Sequence, residues 1–227
     1  MNQRTVKKKV LDLLQSTRPS QAMDTIHAYP RNYVLKALFS GICRNDETLR
    51  WHAITVMGRV VAELADEDLE AARIVMRRFM WSLNDESGGI GWGVPESMAE
   101  AMVCHETLAE EYAHILVSFM REEGFYLEYE LLQRGLMWGV GRLAQARPEL
   151  LSSKQAAGYL LPYLDSPDPT VRGLAAWALG NLGAEEAVPR IKPLLAQNHP
   201  VRIYMDEKLM DTTTGELAQQ ALASFSR

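Results

Sequence analysis

Apolar positions along the chain recur three and four residues apart over long stretches, as in Leu49, Ala53, Val56, Met57, Val60, Val61 and Leu64. That spacing lays one apolar stripe along a helix. Ala, Leu, Glu, Met and Arg, all good helix formers, fill the same windows. Breakers interrupt the pattern at Arg18-Pro19-Ser20, Tyr29-Pro30, Arg44-Asn45-Asp46, Ala65-Asp66, Ser87-Gly88-Gly89, Glu123-Gly124, Arg147-Pro148, Ser166-Pro167-Asp168-Pro169 and Asn198-His199-Pro200. The segments between them run roughly 10–20 residues, an ordinary helix length. Residues 201–214 differ, alternating apolar and polar positions around Asp206-Glu207-Lys208, which predicts a small β-hairpin near residues 201–213 or an extended loop before the last helix. The chain reads as all-α apart from that hairpin.

The helical pattern repeats. Asp168-Pro169-Thr170-Val171-Arg172 and the run to Gly180 align without a gap on Asp46-Glu47-Thr48-Leu49-Arg50 and the run to Gly58. A third copy, from Leu132 to Gly141, sets Trp138 on Trp177, and Gly141 precedes Gly180 by 39 positions. Weaker copies begin at Pro95 and Thr214. A period near 40 residues with two helices per unit predicts an α-α superhelix of about five repeats. Asp168 is expected to cap its helix, with Pro169 at the first position. Ala175, Ala176 and Ala178 allow close helix approach, Gly180 and Gly183 give a thin surface and a place to end the helix, and Arg172 is within reach of an aspartate in an adjacent turn. The expected organisation is a single domain over residues 1–227, with irregular helices in 1–44 and repeats in 45–227.

Residues 165–196, DSPDPTVRGLAAWALGNLGAEEAVPRIKPLLA, resemble the HEAT-like repeat of phycobilisome lyases. The resemblance implies a HEAT/armadillo-like α-solenoid. It implies no lyase activity, because such repeats serve mostly as protein-binding scaffolds.

Two features depart from the repeat: the hairpin segment, and a glycine-rich stretch at 84–96 that is longer than a helix connection requires. Gly88, Gly89, Gly91 and Gly93 permit close backbone approach, Asp85, Glu86 and Glu96 supply carboxylates, and Trp81 and Trp92 could wall a pocket. The alternative is a loop packed on its own tryptophans. His105 and Glu106 follow, and Glu106, Glu110 and His114 share one helix face at four-residue spacing. That set could suit a metal. HEAT-repeat deoxyhypusine hydroxylases, however, carry His-Glu pairs in several repeats, whereas Met57-Gly58, Val140-Gly141 and Leu179-Gly180 stand at the matching places here. A solvated helix face is the expectation, with no metal or other cofactor.

The 227 residues carry 24 Lys+Arg and 29 Asp+Glu, a net charge of −5. HEAT-like alkylpurine glycosylases grip DNA on a basic face, and that balance argues against the same here, despite Trp51, Trp81, Trp92, Trp138, Trp177 and Asp85. No run of apolar residues is long enough to span a membrane. Cys43 and Cys104 form no CxxC pair, are expected as small core residues, and lie in no nucleophile motif, so no catalytic residue is assigned. The resulting expectation is a cytoplasmic, non-catalytic scaffold that binds another protein. Its contact residues would be Arg50, His52, Arg134 and Arg172 on the inner helices, with Trp81, Asp85, Glu86, Trp92, Glu96, His105 and Glu106 on and after the loop. The rival reading is an enzyme or ligand-binding protein using 84–96 as its pocket.

Overall fold

The computed structural model describes residues 1–83 and 91–225. Its helices are α1 (Gln3–Ser16), α2 (Pro19–Ile26), α3 (Arg31–Gly41), α4 (Glu47–Glu67), α5 (Leu69–Leu83), α6 (Val94–Cys104), α7 (Glu106–Ser118), α8 (Glu130–Ala146), α9 (Pro148–Ser153), α10 (Ala156–Leu160), α11 (Pro169–Leu182), α12 (Val188–Ile191) and α13 (Thr214–Ser224). Between α12 and α13, β1 (Pro200–Met205) and β2 (Lys208–Thr213) pair as the expected hairpin. Its two-residue turn is made by Asp206 and Glu207, both in the left-handed region (φ 50° and 60°), the geometry that matches the strands' twist.

The chain packs as two compact units, Met1–Leu108 with Asp206–Lys208, and Ala109–Met205 with Leu209–Arg227. In the first unit α4 is the central helix, buried along most of its length and packed on α3, α5 and α6. Asp46 starts it, its carboxylate accepting from the Leu49 amide at 2.8 Å. Asp68 closes the helix and caps α5 through the Ala71 amide. Glu207 accepts from the Arg59 guanidinium at 2.6 Å and from the Ser20 hydroxyl at 2.8 Å. Burial pushes its carboxyl up, but these donors outweigh burial and leave it below the ordinary carboxylate range.

In the second unit α11 lies between α8 and α13. Asp168 caps α11 through the Thr170 and Val171 amides, Pro169 takes its first position, and Gly183 ends it at φ 68°. The glycines aligned by the repeat stand where helices approach closely. A Cβ at Gly58 would meet Glu100 of α6 at 2.6 Å, one at Gly141 would meet Trp177 of α11 at 2.3 Å, and one at Gly180 would meet Ala221 of α13 at 2.6 Å. The repeat thus positions backbone contacts as well as core side chains. Trp138 and Trp177 are both buried, and the Trp138 indole donates to the Tyr204 carbonyl at 2.8 Å.

The expectation for the cysteines is corrected. Cys43 and Cys104 are both exposed: Cys43 falls two residues beyond the end of α3 and Cys104 is the last residue of α6, so neither sits on the buried stripe of a helix interior.

Candidate functional site

Trp81 is 78% exposed near the end of α5, and Ile74, two turns earlier, is 58% exposed. The helix buries Ala72, Val75, Met76 and Phe79, which leaves positions seven apart to share the outer face. Arginines flank this pair. Arg78 covers the Phe39 ring at 3.7 Å, and Arg77 donates to Glu70 at 2.6 Å. The two exposed apolar side chains therefore sit on a helix whose neighbouring cations are held in place. Of these, Trp81 is legible in the sequence and Ile74 is not. Its signal is its offset from the Ala72–Val75–Phe79 stripe, visible only once the helix register is known.

Asp85 and Glu86 lie outside the described residues. Trp92 is half-buried, and its carbonyl lies 3.9 Å from the Cys43 thiol. Glu96, in the first turn of α6, is buried, and among the described residues its Oε2 has no hydrogen-bond partner. Gly93 (φ 70°) passes so close to Ile42 that a Cβ there would lie 2.7 Å from its carbonyl oxygen. Burial pushes the Glu96 carboxyl up to about 7, while its own backbone amide and the charge of Arg50 pull the other way. Arg50 also pairs with Glu47 at 3.6 Å.

His52 is buried, and its Nδ1 donates to the Leu14 carbonyl at 2.7 Å. That carbonyl belongs to the last turn of α1, where the helix leaves acceptors unpaired. His105 precedes α7. Its Nδ1 accepts from the Leu108 amide at 3.3 Å, and its Nε2 lies 3.5 Å from Asp66. Glu106, Glu110 and His114 are exposed on α7. Among the described residues no group of three or more His, Cys, Asp or Glu side chains is placed to hold a metal ion.

Arg134 and Arg172 form successive rungs of a ladder. Arg134 Nε donates to Asp168 Oδ2 at 2.6 Å. Arg172 Nε donates to Gln197 Oε1 at 3.0 Å, and its Nη1 to the Ser166 carbonyl at 2.6 Å. Each arginine thus reaches the connection after its own repeat, and glutamine stands at Arg172's rung where the sequence pattern suggested an aspartate.

Among the described residues no helix is long and apolar enough to cross a membrane. The HEAT-like repeat model matches residues 130–182, and the PBS lyase HEAT-like repeat model matches residues 171–197. An uncharacterized protein of Archaeoglobus fulgidus is 31% identical over 100 residues, 44% of this chain and 48% of that one. The chain spans about half the length of this curated relative. A designed armadillo repeat protein shares the fold at TM-score 0.58 and 18% identity, covering 98% of this chain and 92% of that one. Another, in complex with the peptide (KR)4, matches at TM-score 0.53 and 16% identity over 96% of this chain and 98% of that one. A third, designed for modular peptide recognition, matches at 0.55 and 14% over 98% and 92%. The chain carries HEAT-like repeats within residues 130–197 and folds as a HEAT/armadillo-like α-solenoid.

Proposed function

We propose that this chain is a non-catalytic scaffold that docks a partner protein, with Trp81 and Ile74 on the outer face of α5 as its anchor. The observation that carries this reading is the pairing of a 78% exposed tryptophan with a 58% exposed isoleucine two turns away. Large apolar side chains left in water together commonly mark a protein contact. Tryptophan is also the residue type that most often dominates such contacts once buried, and arginine at its edge supplies orientation. Peptide binding by designed armadillo proteins of the same fold supports a protein ligand in general. In this account Arg134 and Arg172 act indirectly: their guanidinium groups are spent holding successive repeats together.

Affinity capture from a native lysate tests the reading, comparing wild type with a Trp81→Ala, Ile74→Ser variant. Both substitutions lie on the solvent face, so the variant keeps its helical circular dichroism. A protein recovered by wild type and missing from the variant is the expected result. Equal recovery by both would overturn the assignment.

A further inference from the structure

In the first unit, one face of α1 and the turn joining α3 to α4 enclose an open cleft of about 760 Å³. Arg4, Lys7 and Lys8 line it from α1, and Arg44 lines it from the turn. Among the described residues none of these four side chains has an ion-pair or hydrogen-bond partner. Elsewhere the arginines Arg31, Arg59, Arg77, Arg134, Arg190 and Arg202 all meet carboxylates. In a chain of net charge −5, four cations without direct ion pairs outnumber the two carboxylates around this cleft and form a local field opposite in sign to the whole.

The other lining residues narrow the occupant. Leu11 and Leu49, 8% and 7% exposed, form an apolar floor. The Gln15 and Asn45 amides offer donors and acceptors of the kind a peptide backbone uses. Asp12 and Asp46 also line the cleft. Asp46 is held in capping α4, and with Asp12 it disfavours an unbroken run of anions and favours acidic side chains spaced by apolar ones. From Arg4 to Gln15 the helix rises about 16 Å, the reach of about five extended residues.

We infer that this cleft binds an extended acidic segment of a partner protein, with Arg4, Lys7, Lys8 and Arg44 pairing its carboxylates and the Leu11–Leu49 floor taking an apolar side chain between them. The inference rests on the protein-docking reading and deepens it by assigning a second contact of stated chemistry. Its residues are separate from Trp81 and Ile74, so the two can fail independently.

The test is fluorescence anisotropy with a labelled ten-residue peptide alternating Glu and Leu, beside a ten-nucleotide single-stranded DNA of the same length. The full chain is used as wild type, as Lys7→Glu/Lys8→Glu/Arg44→Glu, and as Trp81→Ala. The peptide is expected to bind wild type and Trp81→Ala alike. The triple variant should lose at least about tenfold in affinity, and raising sodium chloride should weaken the wild-type complex. Equal binding by the triple variant, or no binding by wild type, overturns the inference. So does DNA that binds more tightly than the peptide and is lost in the same variant. A second readout uses a Cys104→Ser background: alkylation of Cys43, which lines the cleft, slows when the peptide is bound, and an unchanged rate contradicts the assignment.

Discussion

Gly141 meets the indole of Trp177 so closely that a Cβ on it would stand 2.3 Å from the ring and 3.3 Å from the Ala178 backbone. In a free helix an alanine at this position would be better by about 1 kcal/mol. Here the ring is buried and cannot withdraw without opening the α8–α11 contact. Gly141→Ala is therefore expected to destabilise the protein by about 1–3 kcal/mol, measured as a lower urea midpoint. A neutral or stabilising result would mean that the two helices slide apart easily.

Glu96 sets a pH dependence. Its carboxyl sits at about 7 in the folded chain against an ordinary 4.5. A group raised on folding favours the folded state while protonated, so its contribution is complete below about pH 4.5 and is lost as pH rises through 7. The difference is worth about 3 kcal/mol. Glu96→Gln, neutral throughout, should match wild type near pH 4.5 and exceed it above pH 7.5. Denaturation midpoints across that range check it, and parallel profiles would show that Glu96 reaches solvent or a partner.

Asp46 and Asp168 occupy the same place in the repeat yet should not cost the same to remove. Both cap a helix, and loss of such a cap costs about 1 kcal/mol. Asp168 is buried and also accepts from Arg134 at 2.6 Å, whereas Asp46 is exposed. Asp168→Ala is expected to cost about 2 kcal/mol and Asp46→Ala about 1 kcal/mol. Asp168→Asn, which keeps the cap and loses the charge, should fall between wild type and Asp168→Ala in the same melts.

His52 ties α4 to the end of α1 through a buried bond of 2.7 Å to the Leu14 carbonyl. Its removal leaves a carbonyl at a helix end without that donor, and His52→Ala is expected to cost about 1–3 kcal/mol. Hydrogen exchange should locate the loss first in α1. Uniform loosening of the chain instead would show that the bond holds no particular helix.

The repeat was legible because its signals are local. Aspartate before a helix, small residues along it and glycine at a fixed offset each state a backbone requirement, and the hairpin announced itself by its period of two. The candidate site was less legible, because exposure depends on register and on neighbours. Ile74 belongs to an apolar-looking helix and turns outward only because Ala72, Val75 and Phe79 turn inward. Glu96 resembles any solvated first-turn carboxylate in the sequence, and its burial shows only in the packed fold. Arg134 and Arg172 sit on the repeat helices as expected, but their partners lie 34 and 25 residues away, distances at which residue type alone does not decide between a surface contact and an internal rung.

The affinity of the captured partner tests the role of Trp81 most directly. Titration calorimetry of that partner against wild type and Trp81→Ala, with both melting at the same temperature, is the measurement. With Trp81 as the anchor, the single substitution is expected to raise Kd at least about tenfold. An unchanged Kd would contradict it and move the contact away from α5.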